Sequence, residues 1–72
     1  MIEIYTKPSC PSCINAKMFL QGRGLKYTEI KIGKDISREE FLEKFPEART
    51  VPWVLVDGNL IGGYENVKAF YG

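Results

Sequence analysis

The chain has 72 residues, which is room for one small domain with a single hydrophobic core. Hydrophobic residues make up 44% of the chain and charged residues 26%, so the composition excludes the low-hydrophobicity, high-charge class of disordered proteins. The net charge is +1 and no basic run is interleaved with aromatic residues, so nucleic acid is not an expected partner.

The first half of the chain predicts a strand, a helix and a second strand. Residues 2–6, IEIYT, alternate apolar and polar side chains, which is typical of a strand. Residues 11–24 predict a helix, because Pro11 suits the first helical turn and the segment ends in glycines. Its apolar residues at helical spacing are Ile14, Met18 and Phe19. Residues 25–32, LKYTEIKI, are rich in β-forming residues and predict the second strand.

The second half predicts a helix, a hairpin and a last helix. Ser37 stands three residues before Glu40, the spacing of a reciprocal capping box, and opens a helix over residues 37–45. Its apolar residues on one side are Phe41, Leu42 and Phe45. Residues 51–56 and 60–63 predict short strands joined by a tight turn at Asp57 and Gly58. Residues 64–71 predict two turns of helix, whose inward residues are expected to be Val67, Phe70 and Tyr71.

The order β-α-β-α-β-β-α predicts an α/β fold, a four-stranded mixed sheet flanked by three helices, in a single domain over residues 1–72. No window approaches the roughly 20 apolar residues that cross a bilayer. The N-terminal residues also lack the apolar stretch of a secretion signal. We therefore expect a cytoplasmic protein without a membrane partner.

Cys10 and Cys13 are the only cysteines, and the chain has no histidine. A permanent disulfide is not expected in a reducing cytosol, and so short a loop would restrict the unfolded chain little. A closed zinc site needs four nitrogen or sulfur ligands, so no metal is expected from two thiols. The pair, placed where a strand meets a helix, favours dithiol redox chemistry.

The two cysteines are expected to differ in role. If Cys10 caps the helix, its sulfur lies beside unsatisfied backbone N–H groups and the positive end of the helix dipole, which favours the thiolate. Lys7, three residues earlier, adds a positive charge. Cys13 lies one turn further along the same face, so its sulfur can reach Cys10. Cys10 is therefore the expected nucleophile and Cys13 the expected resolving thiol.

The chain resembles the glutaredoxins, a family with the thioredoxin fold, over nearly all of its length. The resemblance is carried by YTKPSCPSC, RTVPWVLVDG, IGGY and YEN, in the family's order. Ser12 is a departure, since the family's usual active site is Cys-Pro-Tyr-Cys. The resemblance implies the thioredoxin-like fold, with Pro52 in a cis peptide bond facing the Cys10 sulfur.

The resemblance also implies a glutathione site. The Val51 backbone would pair with the cysteinyl part of glutathione, and backbone N–H groups at the start of the last helix would hold the γ-glutamyl carboxylate. Asn66 stands where many glutaredoxins have a carboxylate, so either Glu65 replaces it or binding weakens. The implied glutathione-binding residues are Lys7, Ser12, Thr50, Val51, Pro52, Gly63, Tyr64, Glu65 and Asn66.

The expected activity is glutathione-dependent reduction of protein disulfides and glutathione mixed disulfides. The expected partners are glutathione and disulfide-containing or glutathionylated proteins, with ribonucleotide reductase a family-level suggestion, and the expected state is a monomer. Two alternatives stay open: a glutaredoxin-like thioredoxin re-reduced by thioredoxin reductase, and an iron-sulfur carrier in which two chains and two glutathiones hold a cluster through Cys10. Trp53 is either an exposed contact for a protein partner or ordinary sheet packing.

Overall fold

A computed structural model of the chain describes residues 1–48 and 51–72. Its helices and strands follow the predicted order β-α-β-α-β-β-α. They are β1 (Ile2–Thr6), α1 (Pro11–Gly22), β2 (Tyr27–Lys31), α2 (Arg38–Lys44), β3 (Trp53–Val56), β4 (Asn59–Gly62) and α3 (Tyr64–Tyr71). Strand β2 is shorter than predicted at both ends. It lies at the edge of the sheet, and its pairing with β1 runs from Tyr27 to Lys31.

The sheet is mixed and four-stranded, as predicted, with the order β2-β1-β3-β4. Strand β1 runs parallel to β2 and antiparallel to β3, and β3 and β4 form an antiparallel hairpin. The predicted turn is confirmed, since Asp57 and Gly58 have φ values of +51° and +81°, both positive as a type I′ turn requires. Because β1 is central, its side chains are covered on both faces of the sheet.

Two hydrophobic clusters lie on opposite faces of the sheet. Ile2 and Ile4 of β1 pack with α1 and α3 in a cluster that also contains Ala16, Leu20, Val54 and Val67. Tyr5 points to the other face and packs with Phe41 of α2. The Trp53 ring lies 6.1 Å from Phe45 and 6.5 Å from Phe41. Trp53 is therefore partly buried and packs on this second cluster, as the sheet-packing alternative expects.

The predicted inward faces of the helices need correction. Phe70 is 55% exposed, so its predicted inward position is wrong. The inward stripe of α3 is formed by Tyr64, Val67 and Tyr71, and Phe70 lies about a quarter turn from its centre. Two apolar residues of α1, Ile14 and Met18, are likewise exposed, and the buried residues of that helix are Cys13, Ala16 and Leu20.

Both predicted helix starts are confirmed. Pro11 is the first residue of α1, directly after Cys10 at the N-cap. Helix α2 begins with the predicted capping box: Glu40 N–H donates to Ser37 Oγ at 3.0 Å, and Ser37 N–H donates to Glu40 Oε1 at 3.1 Å. The box satisfies two backbone N–H groups at the start of α2.

Gly62, at the end of β4, should not tolerate a side chain. Its φ is +121°, and a Cβ there would lie 2.9 Å from Asn66 Cγ. We expect Gly62→Ala to lower the free energy of unfolding by about 1–3 kcal/mol, because the left-handed backbone is strained with a Cβ. Gly22→Ala is the matched control, since Gly22 is helical with nothing within 4 Å of a Cβ. Urea unfolding measures both, and a Gly62→Ala protein as stable as Gly22→Ala would contradict this account.

Candidate active site

Cys10 is the N-cap of α1, as predicted. Its backbone is extended, with φ −115° and ψ 100°, and its sulfur accepts a hydrogen bond from the Cys13 N–H at 3.2 Å. Pro11 has no N–H and occupies the first helical position, so the ring removes a donor that the helix could not have satisfied. The result is a sulfur held at the positive end of a helix.

Cys10 and Cys13 are joined by a disulfide, with their Cα atoms 5.2 Å apart. Both are buried, with 7% of Cys10 and 2% of Cys13 exposed. Cys10 is thus the more exposed of the two, as suits the residue expected to attack a substrate. The pair can therefore close and open an intramolecular disulfide at one turn of a helix.

The segment before β3 passes beside the sulfur of Cys10. The Val51 carbonyl oxygen lies 3.7 Å from Cys10 Sγ, a contact rather than a hydrogen bond while that sulfur is in a disulfide. The Val51–Pro52 peptide bond is cis, which confirms what the resemblance implied. A Cβ on Gly63 would lie 3.6 Å from the Pro52 carbonyl oxygen, so the turn after β4 lies next to the segment that contains Val51 and Pro52. Thr50 lies outside the described residues.

The start of α3 is an open helix end near Pro52. Gly63 is its N-cap and provides no side-chain hydrogen bond. The first helical bond runs from Val67 N–H to the Gly63 carbonyl at 3.0 Å, which leaves the N–H groups of Tyr64, Glu65 and Asn66 outside the helical ladder. The Asn66 side chain lies against Gly62, whereas the Glu65 side chain is 81% exposed and lies 3.6 Å from Lys68 Nζ.

A small groove of about 190 Å³ places Lys7 and Arg38 beside Val51. Its floor is apolar and includes Ile32 and Phe41. Arg38 is the functional candidate that sequence reasoning missed, because its only local signal was its position next to the capping Ser37. The exposed Ser12, in the first turn of α1, lines neither this groove nor the one described next.

A larger groove of about 470 Å³ lies beside Cys10 and includes residues of β2; we call it the outer groove. Its residues include Pro8, Cys10, Cys13, Ile14, Lys31 and Lys34. At its base, Thr6 Oγ1 donates to Glu29 Oε2 at 2.7 Å, and Lys17 Nζ donates to the same oxygen at 3.0 Å. Burial raises the pKa of Glu29, but the Thr6 and Lys17 hydrogen bonds and nearby lysine charges outweigh it, so the net pKa is lowered.

We expect Glu29→Gln to lower the free energy of unfolding at pH 7 by about 1–2 kcal/mol, because it removes the charge that accepts from Thr6 and Lys17. Because the pKa of Glu29 is lower in the folded than in the unfolded protein, its carboxylate stabilises the fold fully above the unfolded pKa of about 4.5. This stabilisation is lost as the pH falls through the pKa of the folded state. The stability gap between wild type and Glu29→Gln should therefore shrink below about pH 4.5. Denaturant unfolding across pH measures it, with the exposed Glu43→Gln as control; a gap that widens on acidification would refute it.

No helix in the described part of the chain is long and apolar enough to cross a membrane. Residues 2–61 match the glutaredoxin family model. The chain is 35% identical to glutaredoxin 3 of Escherichia coli K12 over 68 residues, 94% of this chain and 82% of that protein.

Two solved structures show the same arrangement of strands and helices. The buckwheat glutaredoxin–glutathione complex superposes with a TM-score of 0.80 at 26% identity, covering 97% of this chain and 66% of that one. The thioredoxin-like protein BC3987 gives a TM-score of 0.79 at 31% identity, covering 99% and 97%. Together with a Cys10–Cys13 pair at the head of α1, these likenesses show that the chain belongs to the glutaredoxin family of thiol-disulfide oxidoreductases.

Proposed function

We propose that this oxidoreductase depends on glutathione and reduces protein disulfides and glutathione mixed disulfides through Cys10 and Cys13. The observation that carries the proposal is the set of groups around the Cys10 sulfur. Val51 lies 3.7 Å from it, the start of α3 reaches Pro52 next to Val51, and two cations line a groove on the Lys7 side.

Each part of glutathione has a chemically suitable counterpart here. The Val51 backbone, which precedes β3, suits the cysteinyl amide, as an added strand would pair. The open N–H groups of Tyr64, Glu65 and Asn66 suit the γ-glutamyl carboxylate, since helix starts favour anions. Lys7 and Arg38 suit the glycyl carboxylate. Asn66 packs on Gly62, so Glu65 is the carboxylate we assign to the ligand's amino group. The proposed glutathione site also includes Pro52 and Gly63, which lie next to each other beside Val51. Thr50 is included because it precedes Val51 in the sequence, and Ser12 because it stands in the first turn of α1.

The reaction is a sequence of thiolate exchanges. The Cys10 thiolate attacks one sulfur of a substrate disulfide, a new disulfide to Cys10 forms, and the other substrate sulfur leaves as a thiolate. Cys13 then attacks the Cys10 sulfur and releases the second substrate half, leaving the Cys10–Cys13 disulfide. Two glutathione molecules reduce that disulfide and are themselves oxidised to glutathione disulfide, so the two electrons of each cycle come from glutathione.

The proposal covers the setting as well as the chemistry. It takes residues 1–72 as one glutaredoxin domain acting as a cytoplasmic monomer on disulfide-containing or glutathionylated proteins. Ribonucleotide reductase is a substrate at the level of the family resemblance. A specific observation supports one second candidate, re-reduction by thioredoxin reductase: the thioredoxin-like protein BC3987 matches nearly the full length of both chains.

The choice of reductant tests the proposal. We expect steady turnover of a glutathione mixed disulfide with glutathione and glutathione reductase, and little with thioredoxin reductase, because the cations and the open helix end suit a peptide with two carboxylates. Arg38→Gln should raise the KM for glutathione severalfold, since one charge-assisted hydrogen bond to a carboxylate is lost. Lys44→Gln, at the other end of α2, is the matched control. Turnover with thioredoxin reductase alone would favour the second candidate.

The two cysteines should separate by substrate. A glutathionylated substrate needs only Cys10, which takes up the glutathionyl group until a second glutathione removes it. A protein disulfide leaves its second half tethered to Cys10, and the adjacent Cys13 releases it at high effective concentration. We expect Cys13→Ser to keep much of the deglutathionylation but to slow protein disulfide reduction strongly, and Cys10→Ser to abolish both. Assays of both substrates with both variants measure this; equal losses in Cys13→Ser would show that the roles are wrongly assigned.

A further inference from the structure

The outer groove adjoins the proposed glutathione site, with which it shares Lys7, but meets Cys10 through other residues. Its lining includes Cys10, Cys13 and Ile14 but none of Val51, Pro52, Gly63 or Tyr64. At about 470 Å³ it has room for several peptide side chains. A disulfide substrate has two halves, and when glutathione forms one of them along Val51, the other needs a separate surface around the same sulfur.

Charge in the outer groove is concentrated and mostly positive. Four lysines, Lys7, Lys17, Lys31 and Lys34, and one glutamate line it, which gives four minus one, or +3, against +1 for the whole chain. The Glu29 carboxylate already accepts from Thr6 and Lys17. The neighbouring Asp35 carboxylate accepts the Lys31 N–H at 2.9 Å, so it offsets part of the charge at that end. The polar groups of the outer groove that can still bind a ligand are therefore mostly lysine ammonium groups, which donate hydrogen bonds.

Apolar side chains also line the groove. Pro8 and Ile14 are close in sequence to the cysteine pair, and Ile32 belongs to the same lining. Ile14 is 53% exposed although it directly follows Cys13, and Met18, one turn on along the same helix, is 62% exposed. Apolar side chains and lysines that line one groove beside the cysteine pair can be matched by one ligand segment with an apolar residue and acidic residues.

We propose that the outer groove binds the protein half of the substrate, specifically an acidic segment with an apolar residue next to its reactive cysteine. The inference deepens the proposed function and rests on it for the placement of glutathione. Opposite charge on the substrate would steer its approach and fix its register, while the apolar residue covers Ile14. In deglutathionylation the Cys10 thiolate bonds to the glutathione sulfur, and the protein sulfur leaves as a thiolate into this groove.

The test uses two synthetic peptides of equal length, each with one glutathionylated cysteine and a neighbouring leucine. One carries glutamates at the flanking positions and the other carries lysines. Pre-reduced full-length protein is mixed with each peptide in a single turnover, so the measurement does not depend on which reductant recycles the enzyme. We expect the wild type to react about tenfold faster with the acidic peptide at low salt, and the preference to fade near 1 M salt, where screening is strong.

The variant pair locates the effect. Lys31→Glu combined with Lys34→Glu should remove or reverse the preference, while Lys26→Glu combined with Lys44→Glu, with the same change in net charge outside the groove, should keep it. The glutathione mixed disulfide of free cysteine should react equally with all three proteins. Equal rates for the two peptides with wild type, or an equal loss in both double variants, would overturn the inference. Failure of the glutathione cycle with an intact peptide preference would instead count against the proposed function alone.

Discussion

The site depends on a helix that begins at a cysteine. Cys10 Sγ accepts the Cys13 N–H at 3.2 Å, so the side chain that caps α1 is also the reactive group. An acceptor at this position is stabilised by the orphan N–H groups and the helix dipole, and a thiolate accepts better than a thiol. The interaction that starts the helix therefore also favours the nucleophilic form of the sulfur. Pro11 supports the helix start, since it fixes the first helical φ and lacks an N–H group that the helix would leave unsatisfied.

The sheet brings the other parts of the site to that sulfur. Strand β1 pairs with β3, and β3 with β4, so the segment before β3 and the turn after β4 both lie near the end of β1. Val51 contacts Cys10, and Gly63 lies next to Pro52, although these residues are about 40 or more positions from Cys10. Ile4 of β1 is buried with Val54 of β3 in one cluster, so a core that stabilises the fold also sets the spacing of the site.

Local signals predicted the parts of the structure that local physics determines. The Ser37–Glu40 box, the Asp57–Gly58 turn and the Pro11 helix start each satisfy their own backbone groups, and all three are present. The orientation of Phe70 was mispredicted because a helical stripe of Tyr64, Val67 and Tyr71 is selected by packing on the sheet, which spacing alone does not reveal. Arg38 and the outer groove were missed for the same reason, since residues from separate elements form them only after folding.

The proposed glutathione site and the outer groove differ in how far they depend on backbone groups. In the proposed glutathione site the Val51 amide and the open N–H groups of α3 keep their positions when side chains change, whereas Lys7, Arg38 and Glu65 act through their side chains. Ser12 and Asn66 can therefore depart from the family pattern there without removing the site. In the outer groove the surface is made by the side chains of Ile14 on α1, Lys31 at the end of β2 and Lys34 in the loop after it, which can change without disturbing the core. In the proposed arrangement, the backbone contacts to glutathione stay fixed, while the side chains that would contact the protein partner can vary.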